Sequence, residues 1–225
     1  MMTDRIWRFL FPPKCVLCRQ LLEENQTDFC HNCRKDMPKF TKLKFKPSFV
    51  ARWTGMWYYK DNVRGSILRY KFSNKRSYAS AYARALAMKL QNDDFDRFDV
   101  LTWVPVSPLR RLSRGYDQVA LLAKFLGQEL QVTPIRTLRK IRNTPPQSGI
   151  PNASRRRANV LGAYRAVHTP LFAGKKVLLL DDILTTGATA AECARVLLTA
   201  GASEVDLAVL AVANYDQSSE HNKNM

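Results

Sequence analysis

From Val177 the chain runs through four apolar residues into two adjacent carboxylates, Asp181 and Asp182, and on through ILTTGAT into a stretch of helix-forming residues. An apolar run without polar alternation reads as a strand buried on both faces. Such a strand passing into a helix belongs to a parallel sheet covered by helices. The pattern recurs. Val100 to Val106 and Val205 to Ala213 read as strands, and Ala79 to Leu90, Val119 to Leu130 and Thr189 to Ala200 as helices. The fold class is α/β, a parallel sheet flanked by helices. Aromatic residues crowd Phe49 to Tyr59 on either side of Gly55, which predicts a β-hairpin.

Open α/β sheets bind ligands beyond the carboxyl ends of their strands, where Asp181 to Thr189 must lie. Gly187 and Ala188 let the chain approach a ligand closely, and the amides opening the next helix favour an anion. Thr185, Thr186 and Thr189 add hydroxyl donors. No lysine follows the glycine and no GxGxxG is present, which sets the loop apart from the two common nucleotide cradles. Paired carboxylates beside an anion site make chemical sense if they hold hydroxyls, or magnesium carried with the ligand. A ligand with both sugar and phosphate is expected.

Cys15, Cys18, Cys30 and Cys33 form C-x2-C-x11-C-x2-C. Two tight turns that each aim two thiolates at one ion make a closed, structural zinc site, and a redox pair is the alternative for either CxxC alone. Residues 1–46 therefore read as a module folded around metal, 47–213 as the α/β domain, and 214–225 as a disordered polar tail. His31 reads as a surface residue and Cys193 as a small buried one. Neither an apolar stretch able to span a bilayer nor a signal-peptide pattern is seen, so a cytoplasmic location with reduced thiols, and no membrane insertion, is expected.

The net charge of +17 is concentrated: Arg34 to Arg76 holds thirteen Lys and Arg against two acids, and Arg110 to Arg165 twelve against two. A polyanionic partner fits this distribution, and a solubilising surface is the alternative. Arg155, Arg156 and Arg157, the candidate nucleic-acid contacts, lie in a basic stretch, Arg139 to Gly162, that reads as a functional loop. Trp53, Trp57, Tyr58 and Tyr59 either stack on bases or pack in a core.

The segment VLLLDDILTTGAT resembles the phosphoribosyl pyrophosphate motif of type I phosphoribosyltransferases. The resemblance implies ribose held by Asp181 and Asp182, and the 5′-phosphate held by Thr185, Thr186, Gly187, Ala188 and Thr189. The paired CxxC, YKF at Tyr70 to Phe72, VPVSPLRRLSRGYDQ from Val104, RNTPPQSG from Arg142 and RRRANVLGAY from Arg155 resemble the ComF family, which is linked to DNA uptake by competent bacteria. That likeness implies a zinc finger before a phosphoribosyltransferase-like domain that binds phosphoribosyl pyrophosphate with magnesium and handles single-stranded DNA. It also implies other competence proteins, such as a DNA-uptake helicase, as partners. It places Lys71, Arg110, Arg111 and Arg114 on the pyrophosphate, and makes Arg139 to Arg157 a flexible loop. Tyr116 and Asp117 stand where the family has Phe and Asn. Transfer of phosphoribosyl to an unknown acceptor is the alternative function.

Overall fold

The computed structural model describes residues 12–41, 45–95, 97–145 and 153–213. The expected tail and residues 146–152 of the basic loop lie outside these. The described elements are α1 (His31–Asp36), β1 (Trp53–Tyr58), α2 (Asp61–Phe72), α3 (Tyr78–Asn92), β2 (Val100–Trp103), α4 (Pro108–Arg114) and α5 (Gln118–Glu129). They continue with β3 (Leu138–Lys140), α6 (Ala153–Val160), β4 (Tyr164–Ala166), β5 (Lys176–Leu184), α7 (Ala188–Thr199) and β6 (Glu204–Val212).

Four strands form one sheet in the order β1-β6-β5-β2, with every pairing parallel. Alternate side chains of a strand face opposite ways. Leu178 and Leu180 enter one core with α2, α3 and α5, whereas Val177 and Leu179 enter a second core with α7 and the β3–β4 ribbon. An unbroken apolar run such as Val177 to Leu180 is needed because both faces are covered.

The hairpin expected at Phe49 to Tyr59 is not formed. Trp53–Tyr58 is a single strand, registered in parallel with Leu207 to Val212 of β6. Gly55 makes no turn. A β-carbon there would lie 2.6 Å from Val212 Cγ2, so the glycine serves close approach within the sheet. Trp57 is 2 % exposed and sits edge-on to both Phe29 and Tyr82, which assigns it to the core and withdraws it from base stacking. The stretch from Arg139 to Gly162 is also more ordered than expected, since it holds the end of β3 and all of α6, which carries Arg155, Arg156 and Arg157.

The boundary expected near Pro47 lies in the linker between the cysteine segment and β1. Across it, Val16, Leu17 and Phe29 share one apolar core with Val63, Ile67 and Tyr82. Polar bonds join the same parts: the buried Ser66 hydroxyl donates to Val16 O at 2.6 Å, and Arg69 donates to the carbonyls of Val16 and Leu17.

Candidate functional site

Strand β5 runs on past its apolar segment to Leu184, so Asp181 and Asp182 lie within the strand and their side chains fall on opposite faces of the sheet. Asp182 faces α2 and α5. Lys71 Nζ lies 2.8 Å from its Oδ2, and Gln118 Nε2 donates to the same oxygen at 3.2 Å. Burial opposes ionisation of Asp182, but the Lys71 ammonium and these two bonds outweigh it and hold the carboxyl below its ordinary range. Asp181 faces the second core. Burial, and then the charge of Asp182, push it up to about 8. The pair therefore splits into one carboxylate and one carboxyl that stays protonated at neutral pH.

Beyond Leu184 the chain turns at Gly187, with φ +73°, and α7 starts at Ala188. A β-carbon at Gly187 would come 2.8 Å from Phe45 Cζ and 3.0 Å from Pro47 Cγ, so the linker from the cysteine segment rests on this turn. Thr186 Oγ1 accepts the Ala188 amide at 3.5 Å. Thr185, Thr186 and Thr189 are half-buried, and the first amides of α7 have no partners inside the helix.

The arginines of α4 diverge. Arg110 donates to Thr144 O at 2.9 Å, Arg114 lies 4.8 Å over the Phe72 ring, and Arg111 is exposed. Burial, then the neighbouring Arg110, lower the pKa of Arg114, while the charge of Asp182 works the other way. Lys71 and Arg114 thus lie near Asp182, Arg110 toward Lys140 and Tyr164, and Arg111 on the surface. Asp117 caps α5: its carboxylate accepts the amides of Val119 and Ala120, at 3.1 and 3.0 Å, and of Val106 at 3.4 Å. Its negative charge is engaged in fixing the loop after β2.

Sequence reasoning missed two residues here. Gln118 is buried beside Asp182, and its Oε1 has no hydrogen-bond partner among the described residues. Lys140 is buried with its ammonium 5.2 Å from the Tyr164 ring centre, and burial, then Arg110, lower it to about 8. Period-two reading of β3 puts Lys140 on the inward face with Leu138, a signal that was available.

At the other end of α2, Cys15, Cys18, Cys30 and Cys33 bring their sulfurs within 4.8 Å of one another, with Cys18 and Cys30 at 3.6 Å. A tetrahedron with Zn–S of about 2.3 Å separates its sulfurs by about 3.8 Å, so the donor set fits structural zinc. His31 is exposed on α1 and is not part of the cluster.

The profile of the Phosphoribosyl transferase domain matches residues 113–225, and that of the Double zinc ribbon domain matches residues 6–43. "Competence protein F" of Haemophilus influenzae is 26% identical over 224 residues, covering 89% of this chain and 97% of that one. "DNA utilization protein YhgH" of Salmonella typhimurium is 30% identical over 219 residues, covering 87% and 95%. "Competence protein ComFC" of Bacillus subtilis is 26% identical over 212 residues, covering 88% and 85%. This chain belongs to the ComF family. Among solved structures, the allosteric regulatory enzyme of purine biosynthesis is similar at 22% identity and a TM-score of 0.42, over 63% of the ComF chain and 29% of the enzyme.

The basic residues of this ComF protein are spread over several elements. Arg34 to Arg76 spans the cysteine segment, the linker, β1 and α2, with α2 in the first core and Phe40 and Val50 of the linker in the second. Arg155, Arg156 and Arg157 ride on α6, which packs against α7 on the other side of the sheet. No described helix is long and apolar enough to cross a membrane.

Proposed function

We propose that this ComF protein binds phosphoribosyl pyrophosphate with magnesium at Asp181 to Thr189 and handles single-stranded DNA during uptake, in the cytoplasm, with one structural zinc held by the four cysteines. The observation that carries the ligand assignment is the orphaned Gln118 Oε1, a buried acceptor beside the Asp182 carboxylate. Ribose hydroxyls supply the donors that such acceptors lack. Gly187, Ala188 and the threonine hydroxyls would hold the 5′-phosphate against the start of α7. Arg110, Arg114 and Lys71 would face the pyrophosphate, and magnesium carried with the ligand would offset part of its charge.

A transferase reading draws support from the same cations. An acceptor's lone pair would form the bond to ribose C1 as the C1–O bond breaks and pyrophosphate leaves with the electron pair. Arg110 and Arg114 would offset the charge that develops. The DNA reading draws on the uneven charge and on relatives named for competence and DNA utilization.

Calorimetry with phosphoribosyl pyrophosphate and magnesium tests the assignment. The Asp181→Ala/Asp182→Ala variant should lose binding while retaining its melting transition, and unchanged affinity in a folded double variant refutes it.

A further inference from the structure

Strand β2 is an edge of the sheet, and a groove of about 1140 Å³ opens at its carboxyl end, at Trp103, between α4 and α5 on one side and the β3–β4 ribbon on the other. A groove of this volume has room for a ligand at least as large as a sugar phosphate. Lys124 projects from α5, Arg139 from the ribbon, Arg136 from the segment just before β3, and Arg111 from α4. None of the four meets a carboxylate among the described residues. The one acid of the lining is Asp117, whose oxygens are engaged by the amides of α5 and of Val106. The groove thus carries unneutralised positive charge. Trp103, half-buried, and Leu112, 82% exposed, supply a flat apolar wall within it.

We infer that this groove is the path of a single nucleic-acid strand, with phosphates on Lys124, Arg136 and Arg139 and bases against Trp103 and Leu112. The inference rests on the DNA-handling reading and deepens it. Cationic walls alone would suit any polyphosphate, but the added aromatic and aliphatic wall matches the way unpaired bases stack.

The test is the anisotropy of labelled oligo(dT) with full-length, zinc-loaded protein across a salt series. Lys124→Gln/Arg136→Gln should bind at least about tenfold more weakly. Its log–log salt slope should be shallower by about 1.4, two phosphate contacts at about 0.7 each. Calorimetry with phosphoribosyl pyrophosphate and magnesium should be unchanged. Oligo(dT) should also quench the component of tryptophan emission that Trp103→Phe removes. If the wild type binds oligo(dT) and the double variant keeps the same affinity and slope, the strand runs elsewhere and the groove assignment is overturned. Failure of the wild type to bind oligo(dT) at low salt overturns the reading beneath it as well. Sodium triphosphate separates the remaining source: if it quenches Trp103 while oligo(dT) leaves Trp103 unmoved, the groove takes a free polyphosphate and the strand assignment fails.

Discussion

Two neighbouring aspartates behave differently because a strand turns consecutive side chains to opposite faces. Asp182 meets Lys71 and ionises readily; Asp181 is pushed up to about 8 by burial and by Asp182. For Asp181 the folded value lies above the unfolded one, so its contribution to stability is fully present below about pH 3.9 and is lost as pH rises through about 8. Ligand binding reverses the preference, since ribose hydroxyls donate best to an ionised carboxylate. A proton should therefore leave Asp181 on binding. Affinity for phosphoribosyl pyrophosphate should climb between about pH 7 and 8, above the second phosphate pKa of about 6, and then flatten. Calorimetry in two buffers of unlike ionisation enthalpy reads the proton directly. Asp181→Asn should remove the pH dependence, and zero proton release by the wild type near pH 7 contradicts the assignment.

At the scale of the element, α2 joins the cysteine cluster to the candidate ligand site. Ser66 and Arg69 hold the carbonyls of the Cys15 to Cys18 turn, and Lys71, on the same helix, reaches Asp182. Ser66 is fully buried and also bonds the Tyr82 hydroxyl at 2.6 Å. Ser66→Ala should cost about 1–3 kcal/mol in urea denaturation, the range for leaving buried polar groups unsatisfied, and should speed zinc transfer to a chelator. Tyr82→Phe removes only the second bond and should lower stability without changing zinc transfer. Equal zinc transfer in wild type and Ser66→Ala would argue against a link through this helix. Strands β2, β5 and β6 and helices α3, α5 and α7 were legible because their patterns repeat along the chain. The hairpin was misread because Gly55 signals a turn locally, whereas its reason, Val212, is distant in sequence. Gln118 escaped notice because only its packed neighbours make a buried amide significant, whereas Lys140 could have been found from the period of β3.

For the molecule as a whole, the cysteine segment behaves as part of the core. Phe29, Trp57 and Tyr82 form one edge-to-face chain of rings across the linker. Structural zinc is worth about 10–16 kcal/mol in small metal-folded modules, as much as the net stability of a typical domain of about 5–15 kcal/mol. Chelation should accordingly lower the melting temperature of the entire chain in one transition and red-shift Trp57 emission. Two separated transitions, with the later one unmoved by the chelator, would show the parts to be independent.

The central strand β6 also fixes an order of events during synthesis. Arg52 and Asp206, which lie 154 residues apart, are ion-paired at 2.6 Å beside the β1–β6 pairing. At about 5–20 residues per second, the ribosome delivers the partner of β1 roughly 8–30 seconds after β1 itself. Through that interval the nascent chain already has the cysteine turns, α2 and α3, which bury Val63, Ile67 and Tyr82 against Val16, Leu17 and Phe29. The core partners of Val63, Ile67 and Tyr82 in the cysteine segment thus leave the ribosome before them, whereas β1 has to wait for the last strand.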